Sequence, residues 1–376
     1  MEPVLRILDH GTAAVAMRGV TKEQASLIRD ILGPLPFSPV AHASSSKHPD
    51  PNEIVLAGTP DQLRGFLKAM AKDLRAEQLS KKIKTLLDNY LRSDYKIRCG
   101  GTILDLAART HIMGILNITP DSFSDGGRYV DGDKATERAR EMAAQGADII
   151  DIGGESTRPG ARPLSEAEEL ARIIPVIRQL AQEIPVPISV DTYKSTVAEK
   201  ALAAGASIVN DISGLRFSPD MAKVAADHGA AVVIMHIKGT PRDMQEKPVY
   251  ADVVSEIASY LEEGVEMALS AGIDREQILI DPGIGFGKTL EHNLTILERL
   301  GEFRAIGRPI LLGTSRKKFI GTVLDAPEAE RRLDGTAATV ALGIERGARV
   351  MRVHDVAQMV RVARMTDAIL KTKYKS

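Results

Sequence analysis

From about Lys96 onward, short apolar runs alternate with longer segments of helical periodicity. The runs are nearly continuous in apolar and β-branched residues, which is typical of parallel strands buried on both faces. Amphipathic segments such as SEAEELARIIPVIRQLAQEI predict the helices between them. There are eight runs, which begin at His111, Asp148, Pro187, Ser207, Ala230, Ile278, Pro309 and Arg349. Eight βα units that close on themselves predict an α/β fold, a (β/α)8 TIM barrel, over residues 96–376.

Residues 1–95 have a different pattern. Two strand-like segments, EPVLRIL and GTAAVAMR, precede a helix expected from about Thr21. A polar stretch, ASSSKHPDPN, then leads to the strand-like EIVLAGT and two helical segments. This order predicts a small α/β domain in front of the barrel, and none of its residues indicates a chemical role.

Each apolar run of the barrel region stops on polar residues. In a TIM barrel the carboxyl ends of the strands form one rim, where active sites are built. The alternative for a single residue is a cap for the following helix, and it stays open for Asp211 and Thr192. Arginine, lysine and histidine are poor N-caps, so caps do not explain the whole set. The stops are Asn117, Glu155, Asp191, Asn210 with Asp211, His236, Asp281, Ser315, and Arg352 with His354.

Composition narrows the function classes. With 49 basic and 50 acidic residues, the chain has no overall field that favours nucleic acid or an anionic membrane. The single cysteine, Cys99, excludes an intrachain disulfide and a cysteine-clustered metal site, and we expect it to be a small buried residue. We find no apolar segment of about 20 residues and no apolar leader near the N-terminus. These features predict a cytoplasmic protein that binds neither nucleic acid nor membrane.

The stretch IDPGIGFGKT, residues 280–289, comes within one residue of a phosphate-binding P-loop. The P-loop pattern would place its first glycine at Pro282, and proline lacks the backbone donor that such a loop requires. The dinucleotide pattern G-x-G-x-x-G fails as well, because its third glycine would fall on Lys288. The glycines must therefore serve another purpose.

Motifs at all eight strand ends, taken together, resemble the dihydropteroate synthase family. The resemblance covers about residues 97–370 and keeps the family order. It implies condensation of 6-hydroxymethyl-7,8-dihydropterin pyrophosphate with p-aminobenzoate to give 7,8-dihydropteroate and pyrophosphate in folate synthesis. The motifs are MGILNITPDSFSDGGRY, GADIIDIGGESTRPGA, SVDTYKS, IVNDISG, IMHIKGTPRDMQ, LIDPGIGFGKT, GTSRKKFIG and RVHDV.

The resemblance implies a pterin site made of Asp281, Asn210, Asp191 and Lys317. A pterin presents an N–H and an amino group side by side, and a buried carboxylate such as Asp281 can accept both. Asn210 offers a donor and an acceptor, Asp191 resembles a second pterin contact, and Lys317 resembles a donor to the opposite side of the ring. In this interpretation DPGIGFGK is a pterin-binding turn, whose glycines allow the backbone to approach a flat ring closely.

The resemblance also implies residues for the pyrophosphate, the metal ion and the p-aminobenzoate. Arg352 and His354 lie two apart on the last strand, hence on one face, and resemble the anion-binding pair for pyrophosphate. Asn117 resembles the protein ligand of Mg²⁺, the expected cofactor, which keeps waters and takes phosphate oxygens for its other positions. Thr157, Arg158 and Ser315 resemble the p-aminobenzoate pocket, the target of sulfonamides. A homodimer is also expected.

Two alternatives remain open from the sequence. A corrinoid methyltransferase that uses methyltetrahydrofolate shares the barrel and the carboxylate for the pterin, but has no pyrophosphate to hold, and the cations of SRK and RVHD argue against it. A non-catalytic pterin-binding module would not need the metal and anion residues. Lys238 and Ile284 depart from the family pattern and alter the expected pocket wall without changing the acid, amide and cation set.

Overall fold

The computed structural model describes most of the chain and contains two compact units. The first unit combines residues from the range 1–92 with the separate segment Arg299–Gly307. The second unit combines Ser93–Glu298 with Arg308–Ser376. The described residues are 2–8, 12–18, 26–28, 30–31, 54–73, 76–118, 128–156 and 163–373.

The first unit combines an antiparallel sheet with two helices packed through apolar faces. The sheet order is β1-β2-β3, and the helix α1 begins with a capping box in which Thr59 and Gln62 bond each other's backbone. The buried side chains of Phe66, Ile83 and Leu87 form its core together with Ala305. The elements are β1 Glu2–Leu8, β2 Thr12–Arg18, β3 Ile54–Gly58, α1 Pro60–Met70 and α2 Glu77–Leu91.

The second unit contains eight parallel strands that close into a barrel, in the order β10-β11-β12-β13-β6-β7-β8-β9. Each predicted apolar run overlaps one of these strands, and together with the helices between them they confirm the predicted TIM barrel. Their side chains are almost all buried, because helices cover the outside and packed side chains fill the inside. The strands are β6 His111–Asn117, β7 Ile149–Gly153, β8 Ile188–Asp191, β9 Ile208–Asp211, β10 Ala231–Met235, β11 Ile278–Asp281, β12 Ile310–Leu312 and β13 Ala348–Val353.

Helices follow the barrel strands in sequence. The helix that begins at Glu166 has a clear start, since Ser165 and Glu168 form a capping box. None of the helices within the described residues has the length and apolar composition needed to cross a membrane. The helices are α3 Arg128–Ala144, α4 Glu166–Glu183, α5 Ser195–Ala203, α6 Met221–Asp227, α7 Val253–Ser270, α8 Leu290–Glu298, α9 Lys318–Leu324, α10 Leu333–Glu345 and α11 Val356–Lys373, with 3-10 turns at Arg275–Gln277, Leu300–Ile306 and Ala329–Arg332.

An antiparallel hairpin that the sequence analysis did not identify closes the amino-terminal end of the barrel. It consists of β4 Lys96–Cys99 and β5 Thr102–Asp105. Ile97, Cys99 and Leu104 pack in one cluster with residues from the first positions of the barrel strands. Burial raises the pKa of the Cys99 thiol to about 12, so this cysteine is an inert apolar residue, as expected.

A protein shortened to begin at Asp94 should keep its turnover and lose thermal stability. The closed barrel and all the strand-end side chains lie beyond that point, whereas Arg299–Gly307 loses the unit with which it packs. Release of pyrophosphate, the activity that the resemblance implies, and thermal melting of the full-length and shortened proteins test this expectation. A shortened protein that is folded by circular dichroism but inactive would show that the N-terminal unit is needed for the reaction.

Candidate active site

The carboxyl ends of the barrel strands bring the predicted polar residues to one rim. Asp191 and Asp281 are the last residues of β8 and β11, and Asn210 is the penultimate residue of β9. Lys317 directly precedes α9, and Arg352 lies in β13. All five therefore lie at the end of the barrel where the strands stop.

Arg352 joins two carboxylates across the mouth of the barrel. Its Nε donates to Oδ2 of Asp151 at 2.6 Å, and one terminal nitrogen donates to Oδ2 of Asp191 at 2.5 Å. Burial opposes the charge of the guanidinium, but the attraction of both acids prevails and raises the pKa of Arg352. Burial raises the pKa of Asp191 to about 7, and Arg352 opposes this rise. The result is a compact charge cluster that is largely excluded from water.

Asp151 was not predicted as a site residue. Its Oδ2, which accepts from Arg352, also accepts from Nδ2 of Asn210 at 3.1 Å. Its side chain is fully buried, and among the described residues Oδ1 has no hydrogen-bond partner. Asp151 lies inside the apolar run of β7, whereas the prediction used only the ends of the runs. An acidic residue within a buried strand was the signal that could have identified it.

Asp281 and Lys317 form the opposite part of the site. Oδ1 of Asp281 accepts from the backbone N–H of Gly283 at 2.7 Å. Burial raises the pKa of Asp281, while Lys317 acts in the other direction. Lys317 donates to the carbonyl oxygen of Ile284, and its Nζ lies 4.8 Å from the centre of the Phe286 ring. Burial lowers the pKa of Lys317 to about 8, although Asp281 favours its charged form.

The glycines of the turn after β11 are required by close packing against the end of β10. A Cβ on Gly283, which has φ +67°, would lie 1.9 Å from the carbonyl oxygen of His236. Lys288 turns inward: its Nζ lies 2.8 Å from Nδ1 of His236 and donates to the carbonyl of Phe286 at 2.9 Å. Burial and the nearby Lys288 lower the pKa of His236 to about 2, so the imidazole is neutral.

Ser315 and His354 lie side by side at the neighbouring strand ends. The backbone N–H of His354 donates to Oγ of Ser315 at 3.1 Å, and Nδ1 of His354 lies 3.0 Å from the same oxygen. This contact places the expected arylamine residue next to the expected anion residue. Thr157 and Arg158 lie outside the described residues.

Asn117, the expected metal ligand, ends β6 beside Asp191. Its Oδ1 would lie 3.5 Å from a Cβ placed on Gly153, and Oδ2 of Asp191 would lie 3.7 Å from the same point. Within the part of the chain that the structure describes, no three acidic, histidine or cysteine side chains form a cluster that could hold a metal by themselves. Asn117 and Asp191 nevertheless offer hard oxygen donors, which suit Mg²⁺.

Two acidic strand-end residues serve local structure. Glu155 accepts from Nζ of Lys194 at 2.5 Å and from the hydroxyl of Tyr193 at 2.9 Å. Asp211 accepts three hydrogen bonds, two from Ser213 and one from the N–H of Leu215. Asp211 therefore fixes the loop after β9 and does not cap the following helix, whose N-cap residue is Asp220.

The two departures from the family pattern differ in their surroundings. Lys238 turns toward Glu256, at 3.2 Å, and its Nζ lies 4.0 Å from the centre of the Tyr250 ring. Ile284 is fully buried, and its carbonyl oxygen receives the bond from Lys317. Ile284 thus directly contacts one of the proposed site residues, Lys317.

Comparison with known proteins gives the class first. A family model described as "Pterin binding enzyme" matches residues 113–354, and the chain therefore belongs to the pterin-binding enzyme family. Dihydropteroate synthase of Bacillus subtilis is 52% identical over 267 residues, which cover 71% of this chain and 91% of the relative. Within the family, the chain belongs with the dihydropteroate synthases.

Two solved structures of Xanthomonas albilineans dihydropteroate synthase share the fold. The one with 4-aminobenzoic acid is 43% identical, with a TM-score of 0.70, and covers 74% of this chain and 98% of its own. The one with 7,8-dihydropteroate is 40% identical, with a TM-score of 0.67, and covers 73% of this chain and 98% of its own. Those enzymes therefore bind an arylamine and the condensed pterin product on a barrel of this kind.

The affinity for a pterin should fall as the pH rises through about 8. The pKa of Lys317 is lowered to about 8 by burial, so the ammonium is present below that pH and is lost above it. Calorimetric titration with 6-hydroxymethylpterin across this range measures the effect. Because the ligand itself also ionises, Lys317→Arg, which keeps its charge, serves as the reference. Parallel pH profiles for the two proteins would contradict a role for the lysine charge.

Proposed function

We propose that this chain is a transferase that condenses 6-hydroxymethyl-7,8-dihydropterin pyrophosphate with p-aminobenzoate, and that its strand-end residues carry out the reaction. The products are 7,8-dihydropteroate and pyrophosphate. The observation that carries the assignment is the convergence of Asp281, Asn210, Asp191, Lys317 and Arg352 on the rim of one barrel that also matches the family over residues 113–354.

Asp281 is the main pterin acceptor in this proposal. Only one of its oxygens accepts a hydrogen bond from the described residues, from Gly283, so acceptor positions remain for the N–H and amino group of the ring. Lys317 lies near enough to favour the charge of the carboxylate. Asn210 and Asp191 would bond the other ring atoms from β9 and β8. The pterin is thus bound mainly through buried charged hydrogen bonds.

The pyrophosphate leaves from the side of the site formed by Arg352, His354 and Asn117. As the C–O bond breaks, Arg352 stabilises the negative charge that develops on the leaving oxygen, and His354 offers its ring N–H as a donor. Asn117 would hold Mg²⁺ as its one direct protein ligand, and the metal when bound would offset the charge of the phosphates. The amino group of p-aminobenzoate, held by Ser315, Thr157 and Arg158, then attacks the pterin methylene carbon and releases a proton.

A homodimer remains a prediction, supported by the surface of three consecutive helices. Helices α9, α10 and α11 expose large apolar side chains, among which Met365 is 63% and Ile369 is 52% exposed. Apolar residues concentrated on adjacent helices favour burial against a second copy. The exposed residues are Val323, Leu324, Leu342, Met365 and Ile369.

The double substitution Met365→Glu and Ile369→Glu should convert a dimer into a monomer, because it places charges in the proposed interface. Sedimentation velocity on the wild-type protein and the variant measures the change. A wild-type protein that sediments as a monomer at all concentrations would refute the dimer.

Release of pyrophosphate tests the proposed function directly. The full chain mixed with both substrates and Mg²⁺ should release pyrophosphate and form dihydropteroate, and omission of p-aminobenzoate should abolish sustained release. A methyltransferase or a pterin-binding module without catalysis would form no dihydropteroate under these conditions.

Replacing Asp281 with Asn should weaken pterin binding by about 2 to 4 kcal/mol, since a desolvated charged hydrogen-bond acceptor is lost without a change of shape. Titration calorimetry with 6-hydroxymethylpterin measures the loss. Asp220→Asn is the matched control, because Asp220 is exposed and forms no side-chain cap bond. Equal affinity of the Asp281 and Asp220 variants would rule out this role.

A further inference from the structure

The fully buried Asp151 bonds two of the residues that face the proposed substrate. Its side chain is not exposed to solvent. It accepts hydrogen bonds from Asn210 and from Arg352. A buried carboxylate is unfavourable unless it is paired and hydrogen-bonded. Packing alone therefore does not explain a carboxylate at this position.

Asp151 determines which way the amide of Asn210 faces. A carboxylate only accepts hydrogen bonds, so the amide must turn its NH₂ toward Asp151 and its oxygen away. No donor for Oδ1 of Asn210 is found among the described residues, so this acceptor is left for a ligand. With the opposite orientation, Asn210 would present a donor where it now presents an acceptor.

Asp151 also fixes the plane of the Arg352 guanidinium. Nε is held by Asp151 and a terminal nitrogen by Asp191, on two different strands. A guanidinium is planar, so two fixed nitrogens determine the direction of the remaining N–H groups. One carboxylate thus orients both an amide and a cation of the site.

We propose that Asp151 is a positioning residue for pterin recognition: it fixes the orientation of the Asn210 amide, and thereby the order of donors and acceptors that the pterin ring meets, while it holds the Arg352 guanidinium in place beside that amide. This inference rests on the proposed function. It adds a specificity-determining residue that does not itself contact the ring. A ring with alternating donors and acceptors distinguishes the two amide orientations, because the wrong one places donor against donor.

The test removes the two side chains separately and together. Asp151→Ala leaves the Asn210 amide without its acceptor, so that the amide can turn, and Asn210→Ala removes the amide itself. Asp151→Asn is the conservative variant: Arg352 and Asn210 donate to the same oxygen, Oδ2, and an amide oxygen in that place can accept from both. Because 6-hydroxymethylpterin carries no phosphate, its affinity reports the contacts of the ring and not the proposed contact of Arg352 with the anion.

Calorimetry with 6-hydroxymethylpterin should show about a tenfold to hundredfold loss of affinity in Asp151→Ala and in Asn210→Ala, the size of one or two charged hydrogen bonds. The double variant should lie within about fivefold of Asn210→Ala, and Asp151→Asn within about fivefold of the wild-type protein. Circular dichroism and thermal melting confirm that each variant is folded.

Wild-type affinity in Asp151→Ala would overturn the inference. Losses that add up in a folded double variant, or a loss in Asp151→Asn as large as that in Asp151→Ala, would also overturn it, because a merely structural role does not act through the Asn210 amide. The proposed function is judged separately on the wild-type protein: if that protein neither binds the pterin nor releases pyrophosphate, the function fails irrespective of the variants.

Discussion

The geometry of the site depends on the hydrogen bonds of the buried Arg352 guanidinium to two carboxylates. Backbone hydrogen bonds join β13 to β12 and β6, but Arg352 reaches over β6 to acids on β7 and β8. It therefore connects strands that the sheet itself does not connect. Removal of one partner from a buried ion pair typically costs about 3 to 5 kcal/mol, since the remaining charge is left unpaired in a dry environment.

The hydrophobic pattern predicted the strands and the side of the barrel that carries the site. It did so because strands buried on both faces leave continuous apolar runs, and because parallel strands end at a common rim. The pattern could not show which of these side chains form hydrogen bonds with each other. Glu155 and Asp191 both follow apolar runs, yet Glu155 bonds Lys194 beside it and Asp191 bonds Arg352 across the barrel. Such choices depend on strand stagger and barrel closure, which no local segment encodes.

Features were also missed where the local signal was short. The hairpin that closes the barrel turns at Gly100 and Gly101, a pair typical of tight hairpins, between strands of only four residues each. Arg299–Gly307 belongs with the first unit although the barrel sequence surrounds it, and Asn89 donates to the carbonyl oxygen of Ala305 at 3.0 Å. A contact over such a sequence separation leaves no pattern in either segment. Sequence reading therefore placed the domain boundary at a single position, whereas the unit is discontinuous.

The turn after β11 shows why a near-match to a P-loop is not a phosphate site. A phosphate-binding loop leaves its N–H groups free to point at the anion. Here the N–H of Gly283 donates to Asp281, that of Gly285 to Oδ1 of Asn293 at 2.7 Å, and that of Phe286 to the carbonyl of Gly283. Lys288, the lysine of this near-match, is buried against His236 instead. The same residue types thus hold the carboxylate of Asp281 in place. In the proposed function Arg352 binds the anion, and one local cation of this kind is compatible with an overall balance of 49 basic to 50 acidic residues.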